Sequence, residues 1–107
     1  MQKIKLKETI ERVKELLTQT GKSEKTLKMC NTGLRIIVRF FEERNIDEID
    51  SKQVDDFLLE MHNEHISGRF GIEKWRVIRR CCEMIKHYSS EGTIDIGLLR
   101  RWDYSLG

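Results

Sequence analysis

The sequence contains no proline, so none of its 107 residues has the ring that interrupts a helix from within. It also has no run of about 18 apolar residues, which argues against a membrane-spanning helix. Met1 to Lys7 is charged and no apolar segment follows it, so no secretory signal is indicated. Hydrophobic residues make up 38% of the chain and charged residues 36%, as in helical domains with one core. We therefore expect one all-α domain in the cytoplasm, with no membrane partner.

Cysteine is scarce and odd in number, occurring only as Cys30, Cys81 and Cys82. Two adjacent cysteines rarely bridge each other or complete a tetrahedral metal site. Cys30 belongs to an apolar helical pattern, and free cysteine is often buried. We expect all three thiols to be small core residues in a reducing compartment, and we expect no metal or other cofactor.

The segment from Ser23 to Arg44 has two distinct faces. One set of apolar residues recurs at three- and four-residue spacing, which predicts a helix that Ser23 caps and that packs one face in the core. Those residues are Leu27, Cys30, Leu34, Ile37, Val38 and Phe41. A second set recurs at the same spacing without any acidic residue among its members: Lys25, Lys28, Thr32, Arg35 and Arg39. A face of one sign is expected of a phosphate-binding surface, although runs of charge often mark only a solvated face.

Three further helices are predicted. The first covers Ile4 to Thr18 and ends before Gly21, which supplies a C-terminal cap. Ile46 to Ser51 is interpreted as an extended connector, too isolated to pair as a strand, whose two isoleucines enter the core. Ser51 is expected to cap a third helix that ends at Ile66, and a fourth helix is predicted over Ile72 to Ser89.

Charge is separated along the chain, with a net +6 over residues 1–41, −7 over 42–64 and +3 over 65–107. The third helix therefore has an acidic exposed face, which should avoid nucleic acid. The fourth is a second cationic helix, with Lys74, Arg76, Arg79, Arg80 and Lys86 as candidate binding residues. Because an α-helix fits the major groove and its basic side chains reach phosphates, double-stranded DNA is the predicted partner.

No catalytic group of residues is visible in the sequence. His62 and His65 lack the third and fourth ligands of a zinc site, so surface histidines are the favoured interpretation. Tyr88 has core spacing, and neither it nor Tyr104 has the partners that a nucleophilic phenol needs. Glycine-rich phosphate loops and G-x-S-x-G are absent. We expect neither an enzyme nor a small-molecule substrate.

The order and spacing of three segments resemble the N-terminal core-binding domain of tyrosine recombinases, the phage-integrase family. The first is S-E-K-T-L-K-M-C-N-T-G-L-R-I-I-V-R-F-F-E-E-R-N-I, and the second is I-D-E-I-D-S-K-Q-V-D-D-F-L-L-E-M. A helix of the type R-V-I-R-R-C-C-E-M-I-K-H-Y-S-S-E-G-T-I follows them. The resemblance covers residues 4–94 and consists of a pattern rather than a chemical signature.

This resemblance implies a four-helix, SAM-like orthogonal bundle over residues 1–92, with 93–107 as a tail or the start of a linker to a catalytic domain. In the family, the two domains clamp DNA from opposite sides, and the second and fourth helices of the small domain face the grooves. Family catalysis uses an Arg, His-x-x-Arg and a Tyr of the other domain. The residues three after His62, His65 and His87 are His65, Gly68 and Ser90, so that motif is absent here.

The implied function is non-catalytic DNA binding during DNA integration and recombination, with other recombinase protomers on the same DNA as further partners. A second hypothesis stays open at this point. The chain could be a small helical adaptor whose acidic third helix or Trp102 region docks another protein.

Overall fold

A computed structural model describes residues 3–21 and 23–91. Four helices pack together, and two very short strands pair with each other. The elements in chain order are β1 (Ile4–Lys5), α1 (Leu6–Gln19), α2 (Glu24–Glu42), β2 (Glu48–Ile49), α3 (Ser51–Ile66) and α4 (Ile72–Glu91). The prediction of an all-α, four-helix domain is confirmed. None of these helices is both long enough and apolar enough to cross a bilayer. The predicted tail, 93–107, lies outside the described residues.

Helix α4 is the element that the other three helices share, since α1, α2 and α3 each pack against it. The predicted apolar faces form the core, with Leu34, Ile37 and Phe41 of α2 and Ile78 and Ile85 of α4 fully buried. An aromatic cluster joins α2 to α3, because the ring of Phe57 contacts those of Phe40 and Phe41 with centroids 4.8 and 5.9 Å away. The core therefore consists of the apolar stripes of all four helices.

The three thiols are buried and free, as predicted. Burial raises the pKa of Cys81 well above its usual value, and the neighbouring Cys30 and Cys82 raise it further. Burial also raises the pKa of Cys82, and the ammonium of Lys86 opposes that shift only in part. Cys81 and Cys82 therefore stay protonated, and all three buried cysteines pack as small apolar side chains.

The N-terminus and the connector differ from the prediction. Ile4 and Lys5 were expected to begin the first helix, but they pair antiparallel with Ile49 and Glu48 of the connector, which was expected not to pair. The amide of Leu6 extends this pairing by donating to the carbonyl of Asp47 (2.8 Å). Ile49 is fully buried and Ile46 packs against the core, so both isoleucines do enter the interior. The strand partners are far apart in sequence, which a local pattern does not reveal.

Helix α3 begins one residue earlier than predicted, because Asp50 rather than Ser51 is its N-cap. The Asp50 carboxylate accepts from the Gln53 amide (2.9 Å), and the Gln53 side-chain carbonyl accepts from the Asp50 amide (3.0 Å). This reciprocal pair is a capping box. For α2 the predicted cap is confirmed, since the Ser23 hydroxyl accepts from the Thr26 amide (3.2 Å).

Replacing Asp50 with alanine is expected to lower the free energy of unfolding by about 1 kcal/mol, because the Gln53 amide at the start of α3 loses its carboxylate acceptor. Ser51→Ala is the matched control and should change it by less than about 0.5 kcal/mol. Denaturant unfolding followed by circular dichroism measures both. A larger loss at Ser51 than at Asp50 would contradict this assignment of the cap.

Helices α2 and α4 are in unusually close contact at Gly33. A Cβ atom at this position would lie 2.6 Å from Cys81 Sγ and 2.9 Å from Val77 Cγ1. In the same region the Cys81 thiol donates to the carbonyl of Cys30 across the helix pair (3.6 Å). Only glycine leaves room for this approach, so Gly33 determines how near the two predicted cationic helices come to each other.

Candidate nucleic-acid interface

All five predicted polar residues of α2 are exposed: Lys25, Lys28, Thr32, Arg35 and Arg39. They occupy the side of the helix opposite its buried residues, Cys30, Leu34, Ile37 and Phe41. Within residues 3–21 and 23–91, Lys25 and Arg35 form no ion pair. This face of α2 therefore presents cationic groups directly to solvent, as its sequence pattern predicts.

Two members of the α2 set have acidic neighbours at the ends of the helix. Lys28 Nζ lies 3.3 Å from Glu24 Oε1, and Arg39 Nε lies 3.8 Å from Glu43 Oε1. Both are exposed pairs one helical turn apart, and such pairs contribute only about 0.3–0.5 kcal/mol. A phosphate can therefore replace either carboxylate at little cost.

The five predicted residues of α4 do not share one face. Arg79 is seven residues from both Ile72 and Lys86, so these three lie on one side of the helix. Lys86 Nζ contacts Asp55 Oδ1 of α3 (2.8 Å), which identifies that side as the edge next to α3. Arg76 and Arg80 are one turn apart on a different edge. Arg79 is also one turn from Arg76, so the helix separates Lys86 from Arg80 and leaves Arg76 and Arg79 as neighbours between them.

A cleft of about 250 Å³ lies between α2 and α4. Met29 and Thr32 line it from α2, and Glu73, Lys74 and Val77 line it from α4. The structure therefore places Thr32 and Lys74, two predicted binding residues from distant parts of the sequence, at one cleft. Glu73 also lines the cleft and adds one carboxylate to it. The sequence pattern did not predict a role for this residue.

Arg80 and Arg76 extend this cleft along α4. Arg80 is seven residues after Glu73 and three after Val77, so it lies on the same α4 edge, and Arg76 is one turn before Arg80. Arg76 is exposed and Arg80 is half-buried. We call the whole set the cationic surface: Lys25, Lys28, Thr32, Arg35, Arg39, Lys74, Arg76 and Arg80.

The acidic residues of α3 form ion pairs with basic side chains. Each of its four carboxylates lies within 4 Å of a basic side chain, and three of these basic partners lie outside α3. The pairs are Asp55 with Lys86 (2.8 Å), Asp56 with Lys52 (3.6 Å), Glu60 with Arg44 (3.2 Å) and Glu64 with Arg69 (3.4 Å). These pairs are mostly solvent-exposed, so they offset the negative charge of α3 only weakly.

The histidines of α3 belong to an aromatic stack. The ring of His65 stacks on that of Trp75 (centroids 6.2 Å apart), and its Nδ1 lies 2.9 Å from the carbonyl of Phe70. In the described part of the chain, no three His, Cys, Asp or Glu side chains form a group that could hold a metal ion. Tyr88 packs against the core, whereas Tyr104 lies outside the described residues.

Comparisons with protein families, with characterised proteins and with solved structures found no match to this chain. The resemblance to the core-binding domains of tyrosine recombinases therefore depends on the segments quoted above.

Proposed function

We propose that this chain is the non-catalytic, DNA-binding core-binding domain of a site-specific tyrosine recombinase and grips duplex DNA through the cationic surface. The observation that supports this most is the cleft between α2 and α4, where Thr32 of the basic α2 face adjoins Lys74 of α4. Two positively charged helix faces that meet along one edge can follow the phosphates on both sides of a groove.

In this proposal most contacts are made to phosphates. Lys25, Arg35 and Arg76 form no ion pair within residues 3–21 and 23–91, so phosphate binding breaks no existing interaction of theirs. The hydroxyl of Thr32 donates to the carbonyl of Lys28 (3.0 Å), and its oxygen can still accept a hydrogen bond from a base edge. Strand cleavage would belong to a separate catalytic domain, as the family resemblance implies.

The chain is expected to bind duplex DNA weakly and with little sequence preference, since one half of a clamp makes phosphate contacts without enclosing the DNA. Dissociation constants on the order of 10⁻⁴ to 10⁻⁶ M are usual for such binding at physiological salt. Fluorescence anisotropy of a labelled duplex, repeated across a salt series, measures the affinity and its salt dependence. Absence of binding at 50 mM salt would refute the proposal.

A protein-interaction adaptor is the second candidate function. It is favoured by one observation, the exposure of Leu59, Ile66 and Ile72 on α3 and α4. Docking through apolar side chains would depend only weakly on salt, whereas DNA affinity falls steeply as ionic strength rises. The salt series therefore separates the two functions.

A further inference from the structure

One carboxylate lies at the cleft between α2 and α4, among the residues of the cationic surface. Glu73 lines this cleft together with Thr32 and Lys74, and no other acidic side chain lines it. Glu73 is exposed, and within residues 3–21 and 23–91 it forms no ion pair. A carboxylate repels phosphate, so contact with the DNA backbone does not account for its position.

A stabilising effect on the helix is the simplest role for this residue. Glu73 lies in the first turn of α4, where a negative charge favours the positive end of the helix. Glu8 has the same position in the first turn of α1, but it lines a different cleft, beside Asp47 and Glu48. Glu8 therefore provides the comparison that separates stabilisation of a helix end from recognition of a ligand.

Basic side chains flank the cleft along both helices. On α2, exposed Lys28 lies one turn before Thr32 and exposed Arg35 lies three residues after it. On α4, exposed Arg76 lies three residues after Glu73. When a helix enters the major groove, residues at its N-terminal end reach the base edges. With the flanking basic side chains on phosphates, the first turn of α4 therefore directs Glu73 to the bases.

The chemistry of the cleft selects among the four bases. Half-buried Met29 and buried Val77 line it with apolar atoms, which exclude water and strengthen a hydrogen bond made there. An ionised carboxylate accepts hydrogen bonds and donates none. In the major groove guanine and thymine present acceptor oxygens, whereas cytosine and adenine present amino groups. The adenine amino group lies beside the acceptor N7, which repels a carboxylate, so cytosine fits Glu73 best.

We propose that Glu73 accepts a hydrogen bond from the N4 amino group of a cytosine in the major groove. This inference rests on the proposed function, since it needs duplex DNA on the cationic surface. Guanine or thymine at the same place would put an acceptor oxygen against the carboxylate, and this repulsion adds to the discrimination. The preference for cytosine should be about fivefold, at the low end for a good base contact. Full site-specific recognition reaches roughly a thousandfold or more, so a fivefold preference agrees with weak, largely non-specific binding.

Three duplexes of equal length test this, with alternating guanine–cytosine, inosine–cytosine or adenine–thymine sequences. Inosine presents the same major-groove edge as guanine but lacks its amino group in the minor groove. In anisotropy titrations at low salt, the parent chain should bind both cytosine duplexes about equally and about fivefold more tightly than the adenine–thymine duplex.

Two variants assign the preference to the carboxylate. Glu73→Ala should bind all three duplexes more tightly, because a negative charge is lost, and should bind them about equally. Glu8→Ala, with the same charge change in the first turn of another helix, should keep the preference of the parent. Glu73→Gln should move the preference towards adenine–thymine, since a glutamine amide pairs with adenine. It also keeps the test valid if Glu73→Ala loses helicity by circular dichroism.

Several results would overturn the inference. The parent could bind the three duplexes equally, or it could bind the inosine duplex like the adenine–thymine one, which would assign the preference to the minor groove. A Glu73→Ala variant that stays folded and keeps the preference would show that another residue recognises the base. These results differ from failure of the proposed function itself, in which no duplex binds even at about 50 mM salt and both proposals are refuted.

Discussion

Gly33→Leu is expected to lower the free energy of unfolding by about 3 kcal/mol, at the upper end of typical overpacking costs. Even a single Cβ atom would lie 2.6 Å from Cys81 Sγ and 2.9 Å from Val77 Cγ1, closer than carbon and its neighbours normally approach. The side chain must therefore push α4 away from α2. The intrinsic gain of replacing a helical glycine, about 0.8–1 kcal/mol, is too small to offset this. Denaturant unfolding measures the difference.

Two variants isolate the cause of that loss. Asn31→Leu places the same side chain at an exposed position of α2, where it should change the stability by less than about 0.5 kcal/mol. Gly33→Ala combined with Cys81→Ala should be more stable than the sum of the two single changes predicts, because removing Sγ frees the space that the new Cβ needs. Strict additivity of these changes would show that the contact with Cys81 does not limit the approach of the helices.

The double charge reversal Arg35→Glu with Arg76→Glu should weaken binding to every duplex by at least about tenfold at low salt, because two phosphate contacts become repulsive. The corresponding double alanine variant should lower the slope of log affinity against log salt by about two. Both positions are exposed and lie outside the core, so the fold should persist. Anisotropy titrations at several salt concentrations, with circular dichroism as a check of folding, measure these effects.

Lys3→Glu with Lys52→Glu is the matched control, since it makes the same change in net charge away from the cationic surface. Both lysines are exposed, and Lys52 already pairs with Asp56. This control should bind DNA nearly as the parent does. If the Arg35 and Arg76 variant stays folded and also binds like the parent, the cationic surface is only solvated, and the adaptor becomes the better hypothesis.

Periodicity predicted most of the fold because each helix has its own apolar stripe. The stripe of α2 identified the core residues Cys30, Leu34, Ile37 and Phe41, all of which are buried. It did not reveal that Thr26 and Gly33 are buried too, because neither residue type is apolar enough to stand out. The pairing of Ile4 with Ile49, and the role of Asp50 rather than Ser51 as a cap, depend on backbone geometry that composition does not specify.

The candidate site was predicted less completely than the fold. Local spacing predicted the exposed face of α2, since a helix places residues three and four apart on one side. It did not divide the basic residues of α4, because that division depends on α3 packing beside Lys86. The cleft joining Thr32 to Lys74 arises from the contact at Gly33, between segments more than 40 positions apart. A single sequence contains no pattern for such a contact.

The pairing of β1 with β2 makes the first half of the chain a single cooperative unit. Ile4 is held to Ile49 and Leu6 to Asp47, so both ends of the segment that contains α1 and α2 are fastened together. Helix α1 therefore cannot detach from the domain without also releasing the connector and the buried Ile49. Local opening at the N-terminus should accordingly require nearly the free energy of global unfolding, so the N-terminal turn of α1 should resist fraying and proteolysis despite its position near the end of the chain.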